Sequence, residues 1–157
     1  MVIESYADSG RLDEMEAAVR RMFENKRMFA TPKTLEALIL AYTRVGAYDR
    51  LGKSMEMVKG AGWIIQSDIY NLLISEYGKG EQLEKMKQVY EEMVTAAVSP
   101  SLETFLSMLD AFDKCGLEAE VSRTIGLMRK AGFDSPTLSQ PADRMWTDDE
   151  IFGGRSR

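Results

Sequence analysis

The sequence repeats itself about every 35 residues, and this period constrains the fold more than any other feature. Five columns of similar residues share one register, at spacings of 35 or 36 residues. A fixed period of this length is the signature of a repeat architecture. The columns are aromatic (Tyr6, Tyr42, Tyr77, Phe112), apolar (Met22, Val58, Met93, Met128), glycine (Gly10, Gly46), basic (Arg44, Lys79, Lys114) and small pairs (61–62, 96–97, 131–132).

Each repeat has the pattern of two helices. Thr31 followed by Pro32 predicts an N-cap with proline at the first helical position. Apolar residues at helical spacing then predict a first helix, which Gly46 ends, and a second helix, which residues 60–62 end. The same pattern recurs twice. The predicted units are 1–31, which is incomplete, and 32–66, 67–101 and 102–136, which are complete.

Stacking is required because one helical hairpin cannot bury its own apolar face. We therefore predict an all-α fold, an α-solenoid of stacked helix-turn-helix repeats, with three complete units and one truncated at its N-terminus.

Residues 137–157 do not continue the repeat, and residues 147–150 form a capping-box pattern. We expect a short helix there, with Trp146 and Phe152 covering the last repeat; a protein-docking peptide is the alternative.

Composition excludes several classes of site. The 157 residues contain no His and a single Cys, Cys115, which excludes a His-based triad, a His-ligated metal site and a Cys-pair zinc site. No stretch approaches the ~18 apolar residues of a membrane helix. The adjacent carboxylates Glu91 and Glu92 would point apart on a helix, which predicts solvated surface. We predict no enzyme, no cofactor, no metal, no membrane partner and no small-molecule substrate.

The net charge is −5, from 20 basic and 25 acidic residues. Proteins that grip phosphates over a broad surface usually carry net positive charge. Any nucleic-acid site on this chain must therefore be a local stripe of basic residues.

Several segments resemble the pentatricopeptide repeat family, and the resemblance covers residues 1–136. Together they identify the chain as a member of that family. The segments are 69–74 (IYNLLI, similar to the YNxLI of the first helix), 77–86 (YGKGEQLEKM, the YxKxGxLEEA turn), 89–93 (VYEEM, the LFEEM of the second helix), 10–15 (GRLDEM, the turn again) and 128–133 (MRKAGF, the MxxxGI ending).

The resemblance implies an organelle-targeted, single-stranded RNA binder that acts in splicing, editing, stabilisation or translation of transcripts. RNA would lie along the concave surface of the first helices. One residue early in each first helix, with the last residue of the repeat, would read one base. The implied pairs are Glu36 with Gln66, Asn71 with Ser101, and Leu106 with Pro136.

Only Asn71 with Ser101 is similar to a usual family pair, and it suggests a pyrimidine. Glu36 carries a charge that repels phosphate, and Leu106 and Pro136 offer no side-chain hydrogen bond. The family usually places a valine one residue after the start of each unit to sandwich the base. Here those positions hold Lys33, Asp68 and Glu103. We therefore expect weak sequence-specific reading.

The resemblance also implies phosphate contacts from a basic residue near the end of each first helix. Arg44, Lys79 and Lys114 occupy that column, and Asp8 takes its place in the incomplete unit. Three phosphate contacts predict a salt slope of roughly −2 for a single strand. The alternative is that these residues only complement the dipoles of their helices.

The short chain resembles the compact pentatricopeptide repeat proteins of the thylakoid-assembly type, which act in group II intron splicing. This predicts an RNA adaptor with splicing-factor partners in the chloroplast, or alternatively the mitochondrion, with a targeting segment upstream of Met1. The second hypothesis is a protein-interaction scaffold that uses the same groove, favoured by the pI of about 4.9. Homo-oligomerisation is compatible with both.

Overall fold

The computed structural model describes residues 2–25 and 31–133, in which every regular element is an α-helix. The chain divides into two compact units, Met1–Ser99 and a second from Pro100 onward. The predicted all-α repeat fold is confirmed. The predictions for Pro136, Trp146, Phe152 and the capping helix lie outside the described residues. The helices are α1 (Val2–Asp8), α2 (Leu12–Glu24), α3 (Pro32–Arg44), α4 (Tyr48–Gly60), α5 (Ser67–Lys79), α6 (Leu83–Thr95), α7 (Leu102–Lys114) and α8 (Glu118–Lys130).

Two of the three first helices of the complete repeats, α3 and α7, begin after a residue whose side chain caps them, whereas Gln66 before α5 makes no side-chain cap. The Thr31 hydroxyl accepts a hydrogen bond from the Thr34 amide at 3.1 Å, with Pro32 at the first helical position. Ser101 and Thr104 form a capping box, in which each side chain accepts from the other residue's amide. α3, α5 and α7 begin at residues 32, 67 and 102, the first positions of the predicted units.

The turn after each first helix repeats with the same hydrogen bond. An amide donates to the carbonyl of the column aromatic five residues earlier, the pattern of a Schellman motif. The position before each donor has a positive φ and is Gly10, Gly46, Glu81 or Gly116. The bonds are Arg11 to Tyr6, Ala47 to Tyr42, Gln82 to Tyr77 and Leu117 to Phe112, at 2.8 to 3.0 Å.

The predicted core is largely buried. Within the first unit, α1, α3 and α5 pack in order along one layer, and each contacts the second helix of its own repeat. In the second unit α7 packs on α8. The column residues Tyr42, Tyr77, Phe112 and Met128 are all buried. Five residues predicted on apolar faces are only half-buried: Leu83, Tyr90, Leu109, Val121 and Ile125.

Candidate nucleic-acid interface

The basic column ends the first helices. Arg44, Lys79 and Lys114 are the last residues of α3, α5 and α7, and Asp8 is the last residue of α1. All three basic side chains are exposed. A positive charge at a helix C-terminus faces the partial negative charge of unpaired carbonyls, which stabilises it there. The position therefore suits both predicted roles, phosphate contact and dipole complement.

Each basic residue of this column already has a partner. Lys79 Nζ lies 3.3 Å from the Glu76 carboxylate, and Lys114 Nζ lies 3.2 Å from that of Asp110. Arg44 donates to the Ala7 carbonyl at 3.4 Å. An RNA phosphate would compete with these acceptors. The lysines thus offer less net attraction than three unpaired cations would.

The predicted base-reading residues differ in accessibility. Glu36 and Gln66 are exposed, and Leu106 is 41% exposed. Asn71 is only 7% exposed, so a base would have to reach its amide through a small opening. Ser101 is half-buried, and its hydroxyl caps α7.

The predicted pairs are not all placed alike. Asn71 belongs to the first unit and Ser101 to the second, while Glu36 and Gln66 both belong to the first. At the positions where the family carries valine, Lys33, Asp68 and Glu103 are exposed. Asp68 and Glu103 offer little apolar surface against which a base could pack, and Lys33 offers only its methylene stem.

Ion pairs that were not predicted from the sequence join successive second helices of the first unit. Arg50 on α4 binds Asp13 at 2.8 Å and Glu16 at 2.9 Å, both on α2. Lys85 on α6 binds Asp49 on α4 at 3.0 Å. The signal was present, because Asp13 and Asp49 form one column of the repeat while Arg50 and Lys85 form another.

A further ion pair corrects one prediction. Glu91 is exposed as expected, but Glu92 is not simple solvated surface. Its carboxylate lies 2.7 Å from Lys59 Nζ on α4. The partner was not found because it lies 33 residues away, in the preceding repeat.

The hydroxyl of Tyr42 lies at the centre of a buried polar cluster. It donates to Glu16 at 2.6 Å and contacts the Ser54 hydroxyl at 2.7 Å. Burial acts to raise the pKa of Glu16, but hydrogen bonds from Arg50 and Tyr42 outweigh it, and the pKa is lowered. Burial and the Glu16 carboxylate raise the pKa of Tyr42. Both groups hold the protonation states that their hydrogen bonds require.

Two features are absent from the described residues, a cluster of metal ligands and a helix that could span a membrane. Within 2–25 and 31–133, no group of three or more Cys, Asp or Glu is arranged to hold a metal ion. In the same part of the chain, every helix is too short or too polar to cross a membrane.

The described residues form helix pairs that repeat every 35 or 36 residues, and a basic residue ends the first helix of each complete repeat. This arrangement defines a helical-repeat protein of the α-solenoid class. Residues 66–114 match the PPR repeat family. Two pentatricopeptide repeat-containing proteins of Arabidopsis thaliana are 28% and 25% identical to the chain, each over 85% of its length. These matches support the predicted resemblance to the pentatricopeptide repeat family.

A third Arabidopsis thaliana relative, named as chloroplastic, is 23% identical over 84% of the chain. The chain covers 29%, 28% and 15% of these three relatives, less than a third of each.

Two solved structures share the fold. The crystal structure of the pentatricopeptide repeat protein PPR10 from maize matches 87% of the chain with a TM-score of 0.75 and 26% identity. The structure of PPR10 in complex with an 18-nt psaJ RNA element matches 88% with a TM-score of 0.66 and 20% identity. The chain covers 19% and 20% of those structures.

Proposed function

We propose that the chain is a single-stranded RNA-binding adaptor in organellar RNA metabolism, with intron splicing as its process. The observation that carries this proposal is the basic residue at the end of every complete first helix. In a fold shared with a protein crystallised on an RNA strand, such residues are suited to meet phosphates. The chloroplastic relative supports the chloroplast as the compartment, with the mitochondrion as the alternative.

In this proposal the chain binds RNA and does no chemistry on it. Arg44, Lys79 and Lys114 supply phosphate contacts, and Asn71 with Ser101 supplies the best base contact. Partners such as splicing factors, or further copies of the chain, extend the short binding surface. The repeats act as the units 32–66, 67–101 and 102–136. Because the lysines have nearby carboxylates, binding is weak and sensitive to salt.

The test is fluorescence anisotropy with a labelled single-stranded RNA pool at about 50 mM and about 200 mM salt, with light scattering on the same samples. We expect salt-sensitive binding with a slope of roughly −2. Lys79→Glu combined with Lys114→Glu should weaken binding while circular dichroism stays unchanged.

The matched control reverses the charge of two basic residues on second helices, in the double variant Lys87→Glu with Arg123→Glu. Each of these residues also lies beside an acid three residues earlier, Glu84 and Glu120. The control carries the same charge change and should retain RNA binding. Equal losses in both double variants would contradict a phosphate site on the first helices.

A second candidate function, a protein-interaction scaffold, is favoured by Leu106. This residue occupies a predicted base-reading position, yet it is apolar and 41% exposed. An apolar side chain there suits a peptide side chain better than the polar edge of a base. No RNA binding at about 50 mM salt, with capture of a partner from organelle extract that Leu106→Glu abolishes, would favour the scaffold.

A further inference from the structure

Two successive repeat interfaces in the first unit use the column tyrosine differently. At the first interface, Tyr42 bonds to Glu16 on the preceding second helix and Ser54 on its own. One repeat later, the column positions of Glu16 and Ser54 hold Gly52 and Val89. Neither replacement has a side chain that can bond to the hydroxyl of Tyr77.

The hydroxyl of Tyr77 therefore lies against Gly52 rather than a carboxylate. A Cβ added at position 52 would be 3.9 Å from Tyr77 Oη, in ordinary van der Waals contact. Tyr77 is 3% exposed and the nearby Tyr70 is 5% exposed. Across residues 2–25 and 31–133, neither hydroxyl makes a hydrogen bond. Buried hydroxyls in proteins are normally satisfied, so both are available to donate to an acceptor that enters the cavity.

These two tyrosines line a cavity of about 370 Å³ between α4 and α6, with α5 on its inner side. Buried apolar residues, including Met55, Leu73 and Val89, line it together with the tyrosines. Two ion pairs join α4 to α6, Asp49 with Lys85 and Lys59 with Glu92. They lie toward opposite ends of the helices, and Gly52 lies between them along α4.

The charges of the wall define the ligand. The lining holds three lysines and three carboxylates, which cancel: Lys53, Lys59, Lys85, Asp49, Glu56 and Glu92. An ion of either sign would gain little electrostatic attraction from such a wall. An uncharged molecule with hydrogen-bond acceptors is therefore the better ligand for this cavity. Burial, with Glu92 and Asp49 nearby, raises the pKa of Tyr77 to about 12, so its hydroxyl is protonated and can donate at neutral pH.

We propose that the cavity between α4 and α6 binds an uncharged planar heteroaromatic ring, with its ring carbonyl or nitrogen accepting from Tyr77 and its faces against apolar residues. This is the chemistry of a nucleobase, supplied by a free nucleoside or by one base of an RNA strand. The volume is in the range of small-ligand pockets. The site is separate from the basic column of the first helices.

The test is an NMR titration of the folded chain with adenosine, cytidine, guanosine and uridine, and with a short single-stranded RNA. We expect saturable amide shifts at Gly52 and Val89 with at least one nucleoside, or with the RNA, below about 1 mM. Shifts from nucleosides identify a free small molecule as a sufficient ligand. Shifts from the RNA alone identify a base of the strand.

The decisive variant places the polar residues of the first repeat interface at the equivalent positions of the second interface. Gly52→Glu with Val89→Ser supplies Tyr77 with the partners that Tyr42 has, and it should abolish the shifts while the fold is retained. Gly126→Glu is the matched control, because it adds a carboxylate on α8 at a position with open space. Should the double variant fail to fold, Tyr77→Phe provides a second test, with binding weakened about tenfold.

Three results would overturn the proposal: no saturable shift at the cavity with any probe, binding unchanged in the filled variant, or shifts confined to residues that do not line the cavity. Lys79→Glu with Lys114→Glu should leave nucleoside binding intact. The experiments would therefore distinguish a cavity that binds no ligand from a basic column that makes no phosphate contacts.

Discussion

Lys79 Nζ lies 3.3 Å from the carboxylate of Glu76, one turn earlier on the same helix. The lysine that is proposed to meet RNA phosphate thus already faces a negative charge. The carboxylate both lowers the net attraction for phosphate and competes for the ammonium group. Glu76 is therefore an internal competitor of the RNA.

Glu76→Gln should accordingly strengthen RNA binding. Removing one exposed ion pair is worth about 0.5 kcal/mol, so we expect roughly twofold higher affinity at low salt and a smaller gain at high salt. The measurement is anisotropy at two salt concentrations. Glu84→Gln is the control, since Glu84 pairs with Lys87 over the same spacing on a second helix. An equal gain in both variants would reveal only a general charge effect.

Asn71→Ala should change base preference more than overall affinity. Asn71 is the predicted base reader, while the phosphate contacts come from other residues and carry most of the affinity. The measurement is the affinity ranking of single-stranded homopolymers. Ser75→Ala, one turn later on α5, serves as the control for truncation of a polar side chain. If the ranking is the same in wild type and Asn71→Ala, no base is read at this position.

The turn after each first helix predicts stability changes of opposite sign at equivalent positions. Glu81 has φ 59°, a left-handed conformation that costs a non-glycine residue about 1 kcal/mol. Glu81→Gly should therefore stabilise the fold by up to that amount, less the added freedom of the unfolded chain. Gly46→Ala, at φ 73°, should destabilise it by about 1 kcal/mol. Urea unfolding measures both changes, and changes of equal sign would refute the common turn geometry.

Glu16 predicts a pH dependence of stability. Its pKa is lowered from 4.5 because hydrogen bonds from Arg50 and Tyr42 outweigh burial. A lowered pKa in the folded state stabilises the fold above pH 4.5, and this contribution is lost as the pH falls through the folded value. The stability advantage of wild type over Glu16→Gln should shrink as the pH falls below about 4.5 and through the lower pKa of the folded state. Urea midpoints at each pH measure it, and a constant difference would contradict the prediction.

The fold could be predicted from the sequence because its determinants are local and recur. The left-handed turn positions and the column aromatics recur in every repeat, and side-chain caps occur at Thr31 and Ser101, in two of the three complete repeats. Even Glu81, which breaks the glycine column, keeps the turn geometry. Half-buried positions such as Leu83 were missed, because burial depends on how neighbouring repeats cover each face.

The site was less predictable because its properties depend on pairs of residues in different repeats. The burial of Asn71 and the partner of Glu92 depend on tertiary packing. The cavity depends on Gly52 in one repeat and Val89 in the next, and each alone is an ordinary helix residue. The sequence predicted no small-molecule substrate. The ligand proposed for the cavity is different, because it would be bound without being chemically changed.

Two ion pairs near the N-terminal ends of the second helices share one order along the chain, whereas the Lys59–Glu92 pair farther along these helices has the reverse order. In the two pairs that share an order the acid, Asp13 or Asp49, lies in the earlier repeat, and the base, Arg50 or Lys85, lies in the later one. The unit 32–66 carries both on α4, an acid for its successor and a base for its predecessor. A tandem duplication of such a unit would therefore bring complementary charges at both new junctions. Lengthening of the array by gene duplication is compatible with this charge order. A unit that lost either the acid or the base would be suited only to an end of the array.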